Sequence, residues 1–256
     1  MPDSRRRRGL LPALLPALLP AMLLAWCAVP PAAHAELVLT ATRLIYHAAA
    51  LDARIGVRNV GTQPALMQAW IDDGNAQAKP QDMHVPFVVT PPMARIDPAQ
   101  SQTLSVVFTG DTALPRRRES LFWLNVLDIP PEPTRRAGAD YIQFAVRTRI
   151  KLVYRPSALH ASPAQAMRWL RWSERCGSGR CVLEVHNPTP YDMPIVELRP
   201  AGQGGAAPRP LQGTVRPFAS RRWAVPGARP VRSVRYDVID DDGGFVHGSA
   251  DPAHTP

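Results

Sequence analysis

The sequence predicts an all-β chain of two sandwich domains, on three observations. Short runs of alternating apolar and polar residues recur along its length, the period-two signature of half-buried strands. Glycine and proline, 16 and 29 residues, punctuate those runs. No segment carries the i, i+3, i+4 apolar pattern of a long amphipathic helix.

The chain opens with Arg5-Arg6-Arg7-Arg8, an apolar stretch from Leu10 to Val29, and then Pro30-Pro31-Ala32-Ala33-His34-Ala35. Basic, apolar and small-residue regions in that order are the anatomy of a secretory signal, with cleavage after Ala35. A transmembrane anchor is the rival reading, since the stretch is nearly long enough to span. Its repeated Leu-Leu-Pro units and the Ala-His-Ala site weigh against it. A lipoprotein site at Cys27 would need a small residue before the cysteine, where Trp26 stands. Removing residues 1–35 leaves Glu36–Pro256, enough for two domains of ~100 residues.

Seven runs follow: Leu37–Tyr46, Ala53–Asn59, Ala65–Ile71, Pro86–Thr90, Thr103–Phe108, Leu121–Leu127 and Tyr141–Tyr154. Gly61-Thr62-Gln63-Pro64 and Ile96-Asp97-Pro98 separate them, so an immunoglobulin-like sandwich is expected over 36–156. The last run is unusual. Ile142, Phe144, Val146, Thr148, Ile150, Leu152 and Tyr154 share one side, with Gln143, Arg147, Arg149 and Lys151 on the other. At about 3.3 Å per residue it would span roughly 46 Å, against about 17–20 Å for an ordinary strand. Part of it must pass beyond the sandwich or lie along its edge. A long apolar edge invites pairing with another chain.

A short polar connector after Pro156 leads to a second set: Met167–Trp172, Cys181–His186, Pro194–Arg199, Thr214–Arg216, Arg221–Val225 and Val234–Ile239. These predict a second sandwich over 157–256, with Asp251–Pro256 frayed. Once Cys27 leaves with the signal, Cys176 and Cys181 remain, and an even pair in an exported chain reads as a disulfide. Gly177-Ser178-Gly179-Arg180 suits a hairpin turn whose ends the bond would staple. A metal site there would lack further ligands nearby.

The formal charge is +9, and loss of four arginines and Asp3 with the signal leaves +6. The arginines are scattered, whereas a nucleic-acid partner needs a coherent patch, and export removes that reading. Lys79 and Lys151 are the two lysines among 30 basic residues. A lysine within a strand of so arginine-rich a chain suggests use of its compact ammonium. No nucleophile elbow, zinc-protease motif, phosphate loop or dinucleotide fingerprint occurs. His47, His84, His160, His186, His247 and His254 lack ligand spacing. Asp240-Asp241-Asp242-Gly243-Gly244 lacks the distal Glu of a calcium loop and reads, like Asp72-Asp73-Gly74, as a tight acidic turn. No catalytic site, metal or cofactor is expected, and the chain does not read as an enzyme.

Three segments carry a resemblance. Leu114–Pro131, LPRRRESLFWLNVLDIPP, joins Glu119-Ser120-Leu121, Trp123, Asn125-Val126 and Ile129-Pro130-Pro131 at fixed spacings. Val85–Pro98, VPFVVTPPMARIDP, with Gln68-Ala69-Trp70 upstream, is the second, and Ile150–Pro156, IKLVYRP, the third. Asn187-Pro188-Thr189-Pro190-Tyr191 and Ile239–Gly244 match in kind. Over Glu36–Gly244 the chain resembles the periplasmic pilus-assembly chaperones of the chaperone–usher pathway. Arg117 departs from the short polar or acidic residue usual at its position.

The resemblance implies two immunoglobulin-like domains set in an L, with a cleft between them. Its ligand is a pilus subunit whose own sandwich lacks one strand. The chaperone lends its long strand to that groove, chaperone–pilin pairing being a known instance of β-strand addition. On matching positions Ile142, Phe144 and Val146 would enter the groove. Arg43 and Lys151 would hold the subunit's C-terminal carboxylate by charge-assisted hydrogen bonds. Glu119, Arg155 and Asp241 would tie the domains together by ion pairs. The implied partners are pilus subunits and an outer-membrane usher, for an ATP-independent periplasmic protein that is not membrane-embedded. Self-association of the free form stays open. The alternative is a secreted two-domain adhesin or structural pilus component. A subunit, however, would be a single incomplete sandwich with an N-terminal donor extension, whereas here the long strand is internal.

Overall fold

The computed structural model describes residues 36–77, 79–132, 143–177, 180–201, 210–226 and 230–254. In the first sandwich, β1 (Leu37–Leu39), β3 (Ala53–Asn59), β7 (Ser101–Phe108) and β5 (Phe87–Thr90) form one sheet in that order. The other contains, in order, β2 (Arg43–His47), β9 (Val146–Arg155), β8 (Ser120–Ile129), β4 (Ala65–Asp72) and β6 (Met93–Ile96). Alternation builds the core: in β3, Ala53, Ile55 and Val57 are buried while Arg54 and Arg58 face outward. Met67, Leu104, Val106, Leu124, Val126, Ile150 and Leu152 complete it from the other strands. Tyr46, Phe87, Phe108, Phe122 and Tyr154 add an edge-and-tilt aromatic cluster.

The second sandwich has its own core around Trp172, Leu183, Val185, Met193, Ile195, Leu198 and Tyr236. One sheet runs β14 (Ser220–Pro226), β11 (Arg180–His186), β10 (Arg171–Gly177), β17 (Ala253–His254). The other runs β13 (Leu211–Val215), β12 (Met193–Ala201), β15 (Ser233–Ile239), β16 (Phe245–Ala250). The Cys176–Cys181 disulfide joins directly opposed residues of β10 and β11, with Cα atoms 4.1 Å apart. Ser178 and Gly179 of the turn lie outside the described residues.

Five departures from the expected elements have local causes. The run Leu37–Tyr46 is two strands in different sheets. The chain crosses at Thr40–Thr42, where the Thr40 N–H donates to Gly56 O (3.0 Å) and Thr40 Oγ1 accepts the Gly56 N–H (3.1 Å). The run Met167–Trp172 begins helically. Ser162 and Gln165 make a reciprocal capping box with Pro163 in the first turn, so α1 (Pro163–Ala166) and a 3₁₀ turn precede β10. β6 and β16 have no counterpart among the expected runs, because both are largely exposed edge strands with little need of apolar residues. Ala253–His254 are not frayed: they pair in parallel with Ser173–Glu174, and His254 Nδ1 lies 3.0 Å from Glu174 Oε1. Finally, β9 starts at Val146, and Gln143–Ala145 are outside any strand. Tyr141 and Ile142 lie outside the described residues.

Candidate functional site

Strand β9 lies in two environments. Its C-terminal half is flanked on both sides, in parallel by β2 (Arg43 opposite Lys151 through His47 opposite Arg155) and antiparallel by β8. Pairing with β8 continues back to Val146, but β2 begins only at Arg43. Over Val146–Ile150 the other edge of β9 therefore has no partner among the described residues, and its outward N–H and C=O groups form a template for another strand. The core-facing side chains follow the same gradient. Leu152 and Ile150 are buried, Thr148 and Val146 half-buried, and Phe144 is 63% exposed. The apolar stripe climbs out of the core as the flanking strand ends.

On the opposite face, strand register lines up Arg43, Lys151, Trp123 and Asp72 as successive partners on β2, β9, β8 and β4. Arg149, two residues before Lys151, shares that face. Its guanidinium lies 4.1 Å from the centre of the Trp123 ring and donates to both oxygens of buried Asp72, at 2.5 and 3.0 Å. Burial alone would raise the Asp72 carboxyl, but hydrogen bonds from Arg149 and Asn125 outweigh it and hold the group below its usual range. Arg149 thus has its counter-ion.

Arg43 and Lys151 do not. Lys151 Nζ donates to Thr214 Oγ1 at 2.6 Å, and Arg43 Nη1 donates to the Ile239 carbonyl at 3.1 Å. Arg43 Nε is buried without a hydrogen-bond partner. No carboxylate lies within ion-pair distance of either cation among the described residues. Burial, followed by the nearby charge of Arg43, pulls Lys151 down to about 8. Burial lowers Arg43 as well, against the pull of Asp241, Asp240 and Glu119. Both face a cavity of about 430 Å³, walled by Trp123, Ile150, Ile195 and Ile239. Two partly desolvated cations beside apolar walls are unfavourable alone, so the site favours an incoming anion. The arrangement suits a carboxylate whose attached chain is apolar.

Glu119, Arg155 and Asp241 come together as a chain of charges, the first two buried and Asp241 half-buried. Arg155 Nε donates to Glu119 Oε1 at 2.7 Å, while Nη1 and Nη2 grip both oxygens of Asp241 at 2.6 and 2.7 Å. The second Glu119 oxygen accepts the Asp192 N–H at 2.8 Å, so the cluster links the two sandwiches. Asp241 is presented by the β15–β16 turn. There Asp240 Oδ1 accepts the N–H groups of Asp242 (3.1 Å) and Gly244 (2.6 Å), and Gly243 takes a φ of +88°. Burial pushes Glu119 up to about 7, against Arg155. For Arg155, burial is outweighed by the Asp241 hydrogen bonds and the charge of Glu119, and its pKa rises.

Trp123, Arg149, Asp72, Thr214 and Ile239 belong to this site without having been singled out for it. Arg149 could have been found, because strand alternation puts it beside Lys151. Asp72 could not, since it depends on register between β4, β8 and β9.

Comparison with known proteins shows the family. Residues 36–160 match the family model described as "Pili and flagellar-assembly chaperone, PapD N-terminal domain", and residues 165–250 match "Pili assembly chaperone PapD, C-terminal domain". The chaperone protein FimB/FhaD of Bordetella pertussis is 44% identical over 222 residues, covering 86% of this chain and 89% of that one. The crystal structure of the YadV chaperone superposes with a TM-score of 0.68 at 32% identity, covering 84% of this chain and 99% of that one. A chain of the Salmonella enterica complex of SafA pilin with the SafB chaperone gives 0.70 at 29% identity, over 86% of this chain and 98% of that one. Two family domains on two sandwiches, with relatives matched over most of their length, place this chain in the PapD-type family of pilus-assembly chaperones.

Proposed function

We propose that this chain is an exported, ATP-independent chaperone that binds, folds and caps pilus subunits in the periplasm and delivers them to an outer-membrane usher. Residues 1–35 are the signal, 36–156 the domain that lends the strand, and 157–256 the domain that closes the cleft. The observation that carries this reading is the meeting of β9's unpaired edge with Arg43 and Lys151, cations in no ion pair among the described residues. A subunit strand added along Val146–Ile150 would end where β2 begins, so its C-terminal carboxylate would arrive at Arg43 and Lys151. Running away from that anchor along Ile150 to Val146, it lies parallel to β9.

The carboxylate sets where pairing starts. Phe144 and Val146, with Ile142 beyond the described residues, then fill the subunit's open groove and fix its register. Glu119, Arg155 and Asp241 keep the second domain in place behind the anchor. Release needs no nucleotide if a neighbouring subunit supplies a better-fitting strand. The exposed Phe144 also gives the free form a reason to self-associate.

Co-expression in a periplasm with a pilus subunit tests the reading. The unsubstituted chain should recover soluble subunit, and Lys151→Ala should lose it while staying folded. Equal recovery would remove the anchor role, and no recovery by either across the candidate subunits would overturn the function.

A further inference from the structure

Asp128 stands on the core-facing side of β8, two residues beyond Val126, and is buried. It reaches across the sandwich to the opposite sheet. There its Oδ2 accepts the backbone N–H of Glu36 (2.9 Å) and of Leu37 (3.1 Å) at the start of β1. Its Oδ1 is buried without a hydrogen-bond partner, and so is Oε2 of Glu36 itself. No arginine, lysine or histidine lies within ion-pair distance of either carboxylate among the described residues. Buried carboxylate oxygens left open, with no cation nearby, are strongly unfavourable unless something completes them.

Glu36 follows Ala35, the last residue of the small-residue cleavage site. Hydrolysis of that peptide bond converts the Glu36 nitrogen from an amide with one N–H into an ammonium with three. We propose that the α-ammonium freed at Glu36 is the missing cation, and that its ion pair with Asp128 clamps β1 to β8 across the sandwich. One N–H already points at Asp128 Oδ2. The others can serve the open acceptors, Asp128 Oδ1 and Glu36 Oε2. The clamp matters to the cleft because β1 runs through Thr40–Thr42 directly into β2, whose first residue is Arg43. A chain that keeps its signal has only the amide there, so full stability follows processing. The inference rests on export with cleavage after Ala35.

The test uses the full chain, exported and purified, with an intact mass to locate its first residue. It is compared with a chain carrying Gly-Ser between Ala35 and Glu36, which moves the ammonium away and restores an amide at Glu36. Asp128→Asn is made in both. The expected first residue is Glu36, and Asp128→Asn should lower the melting midpoint by about 4–8 °C in the chain that starts there. In the Gly-Ser chain the loss should be less than half as large. Equal losses would overturn the ion pair while leaving export intact, whereas a different first residue would overturn the cleavage assignment and the pair with it. Should Asp128→Asn fail to fold, the unsubstituted chains still decide. The Glu36 α-amine should acylate several-fold more slowly than that of the Gly-Ser chain, and equal rates would contradict the clamp.

Discussion

The two halves of β9 carry the same alternating pattern and do opposite things with it. From Lys151 to Arg155 both edges are paired, core-facing Leu152 is buried, and the outer face is covered through Arg155. From Val146 to Ile150 one edge is open, and the apolar series climbs from buried Ile150 out to exposed Phe144. Alternation in a sequence therefore marks a surface meant to be buried, not whether this chain buries it. The difference is made by a neighbour: β2 stops at Arg43, and what it leaves unpaired is what a partner can take.

The largest effect should come from breaking the closed half at its end. Arg155→Ala leaves Glu119 buried without its cation, at a cost of about 3–5 kcal/mol, read as a shift in urea denaturation of the full chain. A loss below about 1 kcal/mol would mean that the charge cluster is not holding the sandwiches. Next, Leu152→Ala should cost about 2–5 kcal/mol, while Phe144→Ala, on the same side of the strand, should stay within about 0.5 kcal/mol and instead weaken subunit capture. Comparable stability losses at both positions would erase the distinction between the halves. Reduction of Cys176–Cys181 should cost about 2 kcal/mol for so short a loop and loosen the second sandwich without changing the first. A concerted shift of both transitions would contradict that separation.

The smallest effect is a pH dependence at the junction. Burial pulls Lys151 down to about 8 in the folded chain, below the 10.5 usual for a lysine. Between those values the unfolded chain holds a proton that the folded one lacks, so the free chaperone gains stability as pH rises. Carboxylate binding needs the ammonium and must take that proton up. Affinity for a peptide with a free C-terminal carboxylate should therefore fall above pH 8, by up to about tenfold per unit. Lys151→Arg should flatten the profile, and an unchanged affinity from pH 7 to 9.5 in the unsubstituted chain would place the carboxylate elsewhere.

What was legible in the sequence follows burial. β3 was read to its exact bounds, Ala53–Asn59, because one face is core and the other solvent. The helical turn at Pro163–Ala166 was not, although Ser162 and Gln165 form a recognisable capping pair, because the apolar residues after it looked like the start of a strand. Edge strands β6 and β16 left little pattern to find. For the site, Lys151 was conspicuous by residue type, whereas Arg43 alone resembled any surface arginine and needed the family likeness. The Arg149–Asp72 pair and the Thr214 and Ile239 contacts depend on register and on how β13 and β15 approach the first sandwich, which no local pattern encodes. Asp241 read as part of an acidic turn, and it is one. Its grip on Arg155 is a long-range fact.

The most direct test is backbone hydrogen exchange along β9, with and without a bound pilus subunit. Amides paired on the β2 side of Lys151–Arg155 should be protected in both states, while the outward-facing amides of Val146–Ile150 should exchange rapidly in the free chain and become protected in the complex. Capture of the subunit with no new protection there would contradict strand donation.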